Sequence, residues 1–186
     1  MQKTKKLTSA DIACIGLAAA MITVCSQIAI PAAIPFTLQT FAVCTAAGLF
    51  GAKRGTLSVL VYILLGAVGV PVFTGFRGGI SALLGTTGGY IIGFIFTALI
   101  IGTVSDKFSR KPLPLAISMA VGLAVCYAFG TIWFMAMYAK NTGTIGIGAV
   151  LSMCVIPFII PDIVKIVCAA FLCGKAGKHI QFYIAH

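Results

Sequence analysis

Six apolar stretches, each closed by a proline, a glycine-rich turn or a group of basic residues, occupy almost the whole chain. The longest, residues 145–172, exceeds the ~20 helical residues needed to cross a bilayer core of about 30 Å. Backbone amides in hydrocarbon must be paired within their own segment, so runs of this length are expected to be helices. Of the 186 residues, 60% are hydrophobic and only 9% charged, whereas soluble domains carry ~25% charged residues. The fold class is therefore an all-α integral membrane protein. One compact membrane domain spanning 1–186 accounts for the length and leaves no soluble domain over.

Punctuation and charge place helices at about 10–30, 37–51, 55–70, 89–105, 114–138 and 147–173, with Lys53-Arg54-Gly55 as the turn between the second and third. The first stretch follows Lys3, Lys5 and Lys6, but it is too long for the core of a signal peptide and reads as a retained helix. Thr8, Ser9 and Asp11 surround its start, where an anion suits the helix dipole. Ten of the 13 basic residues fall on one side: Lys3, Lys5, Lys6, Lys53, Arg54, Lys107, Arg110, Lys111, Lys175 and Lys178. The opposite loops hold only Arg77 and Lys140. Basic short loops stay cytoplasmic, so six transmembrane helices with both termini cytoplasmic are expected, in a multi-pass protein of the cell membrane. The net charge of +10 is spread over every cytoplasmic turn and needs no nucleic acid to explain it.

Against this background one pair of residues is out of place. The chain has three acidic residues, Asp11, Asp106 and Asp162, and the last lies inside the sixth apolar stretch with Lys165 three positions on. At that spacing both share a helix face. An ionisable group at the bilayer centre costs at least ~2.5 kcal/mol and by default marks a functional site. The alternative is an ion pair that locks helix packing. Pro157 and Pro161 precede the pair, and proline frees backbone carbonyls. Two external segments are also unusual: the apolar linker at residues 31–37, and residues 73–90, where six of 18 positions are glycine. Irregular backbone at membrane depth survives only inside protein or along a cavity. A folded cap over an outward-facing ligand pocket is expected.

Several chemistries are excluded. The seven cysteines lie in or beside apolar spans with no Cys-x-x-Cys pair, and both histidines, His179 and His186, are at the tail, so no metal site is expected. No phosphate-binding loop is present, so the chain cannot hydrolyse ATP itself. Two other classes remain open. A small intramembrane enzyme would need a second catalytic group besides Asp162, and only Lys165 offers itself. An ion-coupled carrier would need polar residues in several helices, yet helices three to five are nearly uncharged.

Pro35-Phe-Thr-Leu-Gln-Thr-Phe41, Gly51-Ala-Lys-Arg-Gly55, Leu65-Gly-Ala-Val-Gly-Val-Pro-Val-Phe73, Gly85-Thr-Thr-Gly-Gly-Tyr-Ile-Ile-Gly-Phe94 and Pro161-Asp-Ile-Val-Lys165 occur in that order. With them the chain resembles the BioY family, biotin-specific substrate-binding S components of energy-coupling factor (ECF) transporters. The resemblance implies high-affinity capture of biotin as a transported ligand, no cofactor and no enzymatic activity. It also implies a separate module of one transmembrane coupling subunit and two ATPase subunits. Biotin's ureido ring offers N–H donors and a carbonyl, and its tail a carboxylate. Asp162 and Lys165 suit these groups, though which end meets which residue stays open. Thr37, Gln39 and Tyr90 are further polar candidates, Phe36, Phe73 and Leu83 are candidates to enclose the bicyclic ring, and Arg77 is a candidate with a less defined role. Gly16 and Ala20 on the first helix belong to small-residue patterns that let another helix approach, and the resemblance implies that they face the coupling subunit.

Overall fold

The structure is a computed structural model that describes residues 7–31, 34–108 and 110–185, with side chains through residue 177. Lys3, Lys5, Lys6 and His186 lie outside the described residues, as do the side chains of Lys178 and His179. The fold is mostly helical: α1 is Ser9–Gln27, α2 Gln39–Ala67, α3 Ile80–Leu83, α4 Gly88–Lys107, α5 Pro112–Asn141, α6 Ile147–Cys154 and α7 Ile156–Ala185. Five segments are long and apolar enough to cross a membrane: α1, α2, α4, α5 and residues 147–177. Within the linker expected at residues 31–37, Phe36 and Thr37 form one side of a small hairpin. Its strands, β1 (Ala29–Ile30) and β2 (Phe36–Thr37), pair antiparallel, so the expected all-α fold carries a two-stranded sheet.

The second and third expected helices form a single element, α2, that doubles back on itself. The break is at Gly51, with φ 77° and ψ −175°, and not at Lys53-Arg54-Gly55. That backbone region is essentially open to glycine alone. Gln39 Nε2 donates to Tyr62 Oη at 2.9 Å, whereas a continuous helix would hold residues so far apart in sequence about 35 Å from each other. A Cβ added to Gly55 would lie 2.6 Å from the Ala47 Cα, so the two arms touch. Lys53 and Arg54 open the second arm. The charges mark where the chain meets water; the bend itself sits two residues upstream, where a positive φ is needed.

A Cβ at Gly51 would also stand 2.1 Å from Asp106 Oδ1. Gly51→Ala is therefore expected to destabilise the protein by ~1–3 kcal/mol from backbone strain alone, with displacement of Asp106 in addition. The check is thermal unfolding of the detergent-purified protein, and a melting temperature equal to the parent's would show that the bend tolerates a side chain.

This bend gathers one end of the molecule. Ala52 N–H donates to Asp106 Oδ2 at 3.0 Å, and Arg54 Nε donates to Asp11 Oδ1 at 2.5 Å. Asp11 and Thr8 form the reciprocal cap that starts α1. From the α4–α5 connection, Arg110 Nε donates to Gly48 O at 3.2 Å, and its Nη1 to Gly177 O on α7 at 3.3 Å. The start of α1, the bend of α2, the α4–α5 connection and the late turns of α7 thus meet together. Between the ends, α4 and α5 approach closely through Gly93, Gly122 and Gly130, whose missing side chains make room for Cys126, Thr97 and the Tyr90 ring.

The last apolar stretch also differs from expectation. It is α6 and α7, interrupted at Val155 (φ −127°, ψ −57°). Pro157 lies in the first turn of α7, where its missing N–H costs nothing. Pro161 sits within the helix without ending it, and α7 runs on to Ala185, past the expected limit at 173.

Candidate ligand-binding site

Helix α7 buries its polar face. Phe158, Asp162, Lys165, Ala169 and Cys173, spaced by three or four residues, are buried, while Ile160, Ile163, Val164, Val167 and Phe171 are exposed. In water this would invert a normal amphipathic helix; against lipid it points the costly groups inward. Asp162 and Lys165 are 4% and 7% exposed.

They form the floor of a cavity of about 270 Å³, at the end of the molecule away from the Gly51 bend. That volume is near the ~300 Å³ at which small-molecule sites begin. The walls come from the β1–β2 hairpin, the first turn of α2, residues 73–87, α4, α5 and the α6–α7 stretch. The glycine-rich segment is thus a folded wall that contains α3, as expected for a cap. Trp133 Nε1 on α5 pins it by donating to Gly85 O at 2.9 Å.

The polar groups of the floor satisfy one another. Lys165 Nζ donates to Asp162 Oδ1 at 2.8 Å, to Thr37 O at 2.6 Å and to Thr40 Oγ1 at 3.0 Å. It also lies 4.0 Å from the centroid of the Phe36 ring. An ammonium has three donors, and all three are used. Thr40 Oγ1 donates to Asp162 Oδ1 at 3.1 Å, and Tyr127 Oη donates to Asp162 Oδ2. A carboxylate has about four acceptor positions. Oδ1 has filled two and Oδ2 one, so Oδ2 retains an acceptor position.

Of the residues expected at the site, Asp162, Lys165, Thr37, Gln39, Phe73, Tyr90 and Arg77 line the cavity. Two do not. Phe36 lies behind the wall, against Lys165 and stacked on Phe158 at 6.0 Å. Leu83 is half-buried, and its neighbour Ala82 lines the cavity in its place. The strand and helix periodicities at these two positions turn the neighbouring residue inward. Two groups were missed by sequence reasoning: Thr40, in the first turn of α2, and Tyr127. A lone tyrosine in an apolar span reads as packing. The signal that would have found it is that a buried carboxylate with one lysine still lacks donors. Gln39 is committed to Tyr62 and Tyr90 Oη to Thr131 (3.3 Å), so both are also part of the scaffold.

Comparison with known proteins agrees with this architecture. The model of the BioY family matches residues 1–182. The biotin transporter BioY of Thermotoga maritima is 40% identical over 164 residues, covering 88% of this chain and 93% of that protein. The probable biotin transporter BioY of Pyrococcus horikoshii is 37% identical, covering 89% and 94%. A crystal structure of the S-component for biotin from an ECF-type ABC transporter superposes with a TM-score of 0.81 at 25% identity, covering 93% of this chain and 95% of that one. A family match across nearly the whole length, joined to these relatives, places the chain in the BioY family.

Proposed function

We propose that this chain is the biotin-binding S component of an ECF-type vitamin transporter in the cell membrane, a transport subunit and not an enzyme. The observation that carries the reading is the cavity floored by a buried carboxylate with one acceptor position open. A ureido N–H is a neutral donor that fits that position. A ligand carboxylate does not, because it would face Asp162 while every proton of Lys165 is engaged. Biotin therefore enters ring first, with its valerate tail toward the mouth and Phe73 and Tyr90 beside the bicyclic ring. Family membership supports biotin as the ligand, since the named relatives are biotin transporters.

The energy source is a transmembrane coupling subunit with two ATPase subunits, approached through Gly16 and Ala20 on α1. Titration calorimetry of the detergent-purified chain with biotin tests the binding role. Saturable one-to-one binding with biotin unchanged chemically is expected; absence of binding, or preference for another vitamin, would overturn it.

The doubled-back α2 supports six crossings from five apolar segments, as its two arms lie antiparallel. Lys53, Arg54, Lys107, Arg110 and Lys111 are near the Gly51 bend, which supports a cytoplasmic location for that end and an outward-opening cavity. In a background with its own cysteines replaced, Lys140→Cys and Phe76→Cys are expected to react with an impermeant thiol reagent in intact cells. Lys53→Cys and Lys111→Cys are expected to react only after permeabilisation. Labelling of Lys53→Cys in intact cells would reverse the orientation.

A further inference from the structure

The mouth of the cavity holds a tight turn, residues 72–77, fastened to the end of α1 by the Gln27 and Ser26 side chains. Gln27 Nε2 donates to Val72 O and to Phe73 O, both at 3.1 Å, while its Oε1 accepts from Phe76 N–H at 3.0 Å. Two carbonyls on one side and an N–H on the other leave the amide a single satisfying orientation. Ser26 Oγ adds a 2.6 Å bond to Val72 O. The turn closes through Phe73 N–H to Arg77 O at 2.9 Å and Arg77 N–H to Phe73 O at 3.1 Å.

The turn needs holding. Gly75 and Phe76 both have positive φ, 73° and 55°, and the left-handed region is unfavourable for a bulky residue such as phenylalanine. The Phe76 side chain is 72% exposed, so its own packing does not enforce the conformation. The hydrogen bond from its N–H to Gln27 does. What the turn presents is Arg77, which lines the cavity and folds back so that a Cβ on Gly75 would be 3.8 Å from its Nε. Lys165 is saturated by the floor, and the Arg77 guanidinium has no ion-pair partner among the described residues.

We propose that Gln27 is a positioning residue for ligand selectivity: by locking the 72–77 turn it sets Arg77 at the cavity mouth to receive the carboxylate of the ligand. This rests on the reading of the chain as a biotin binder, with the ring on the floor and the tail at the mouth. The chemistry is that of a guanidinium, which presents forked donors to a carboxylate. A neutral amide analogue of the same ring and chain length can accept a hydrogen bond through its carbonyl but brings no countercharge, so it gains less from the guanidinium. Gln27 itself touches neither ring nor tail and acts through the turn.

The test uses the full chain in detergent with two probes, biotin and its primary amide, biotinamide. Arg77→Gln is expected to weaken biotin about tenfold, the size of a lost charge-assisted hydrogen bond, and biotinamide by only about two- to threefold, as its carbonyl accepts without countercharge. Gln27→Ala is expected to reproduce that selective loss. In the Arg77→Gln background, Gln27→Ala is expected to have no further effect on biotin, because one residue works through the other. Equal weakening of both probes by Gln27→Ala would mean that the glutamine only supports the fold, and additive losses in the double variant would overturn the link to Arg77. If Arg77→Gln leaves biotin affinity unchanged, the carboxylate lies elsewhere and the inference fails while the biotin reading stands. If the parent protein binds neither probe, the biotin reading fails, and with it the proposal.

Discussion

Asp162→Asn is expected to weaken biotin binding by about 10- to 150-fold, corresponding to the ~1.5–3 kcal/mol of a hydrogen bond to a charged group. The substitution keeps the shape of the side chain but exchanges an acceptor for a donor. Asp162 presently accepts from Thr40, Lys165 and Tyr127. An amide cannot accept from all of them and still offer a lone pair to the ligand. Lys165, 7% exposed, would also lose the countercharge 2.8 Å away. Removing one partner of a buried pair costs ~3–5 kcal/mol of stability, so a fall in melting temperature is expected too. Lys165→Ala should behave similarly, whereas Tyr127→Phe should cost less than tenfold because the carboxylate keeps its other two donors. Calorimetry on the monodisperse fraction of each variant separates binding from folding. Unchanged affinity in both Asp162→Asn and Lys165→Ala would remove the pair from the site and leave it as a packing device.

Gly16→Trp and Ala20→Trp are each expected to abolish energised biotin uptake and copurification with the coupling module while leaving biotin affinity nearly unchanged. Both positions are exposed on α1, whereas Ile15, Ala18, Ala19 and Ile22 form its buried face. A Cβ on Gly16 meets no atom within 4 Å, so the chain's own packing makes no use of the small residue. Small residues on an exposed membrane helix let a partner backbone come close, and an indole ring blocks that approach. The cavity draws no lining residue from α1. Uptake by cells expressing the whole transporter, set against calorimetry on the isolated chain, separates docking from binding. Loss of both together would mean that α1 packs against the pocket, and the docking assignment would fail.

Much of the site was legible because membranes make polar groups conspicuous. With three acids in the chain, one of them in the centre of an apolar span, hydropathy alone led to Asp162, and helical spacing led to Lys165. Tyr127 and Thr40 were not legible, since neither is costly in a membrane helix. Their importance arises from distances to Asp162 set by residues more than 30 positions away in sequence. The turn of α2 was found within a few residues but displaced onto its charges, because charge records solvent and not backbone dihedrals.

The amino-acid pattern by itself determined the class of fold, the apolar segments and the presence of a buried ionisable pair. These follow from transfer free energies, which each residue carries wherever it is placed. Tertiary structure decided which acceptor on Asp162 stays open, that Lys165 has no proton to spare, that Phe36 lies behind the wall, and that Gln27 fastens the turn bearing Arg77. Hydrogen-bond saturation depends on which groups fold to within about 3 Å of one another, and the order of residues along the chain does not contain that distance.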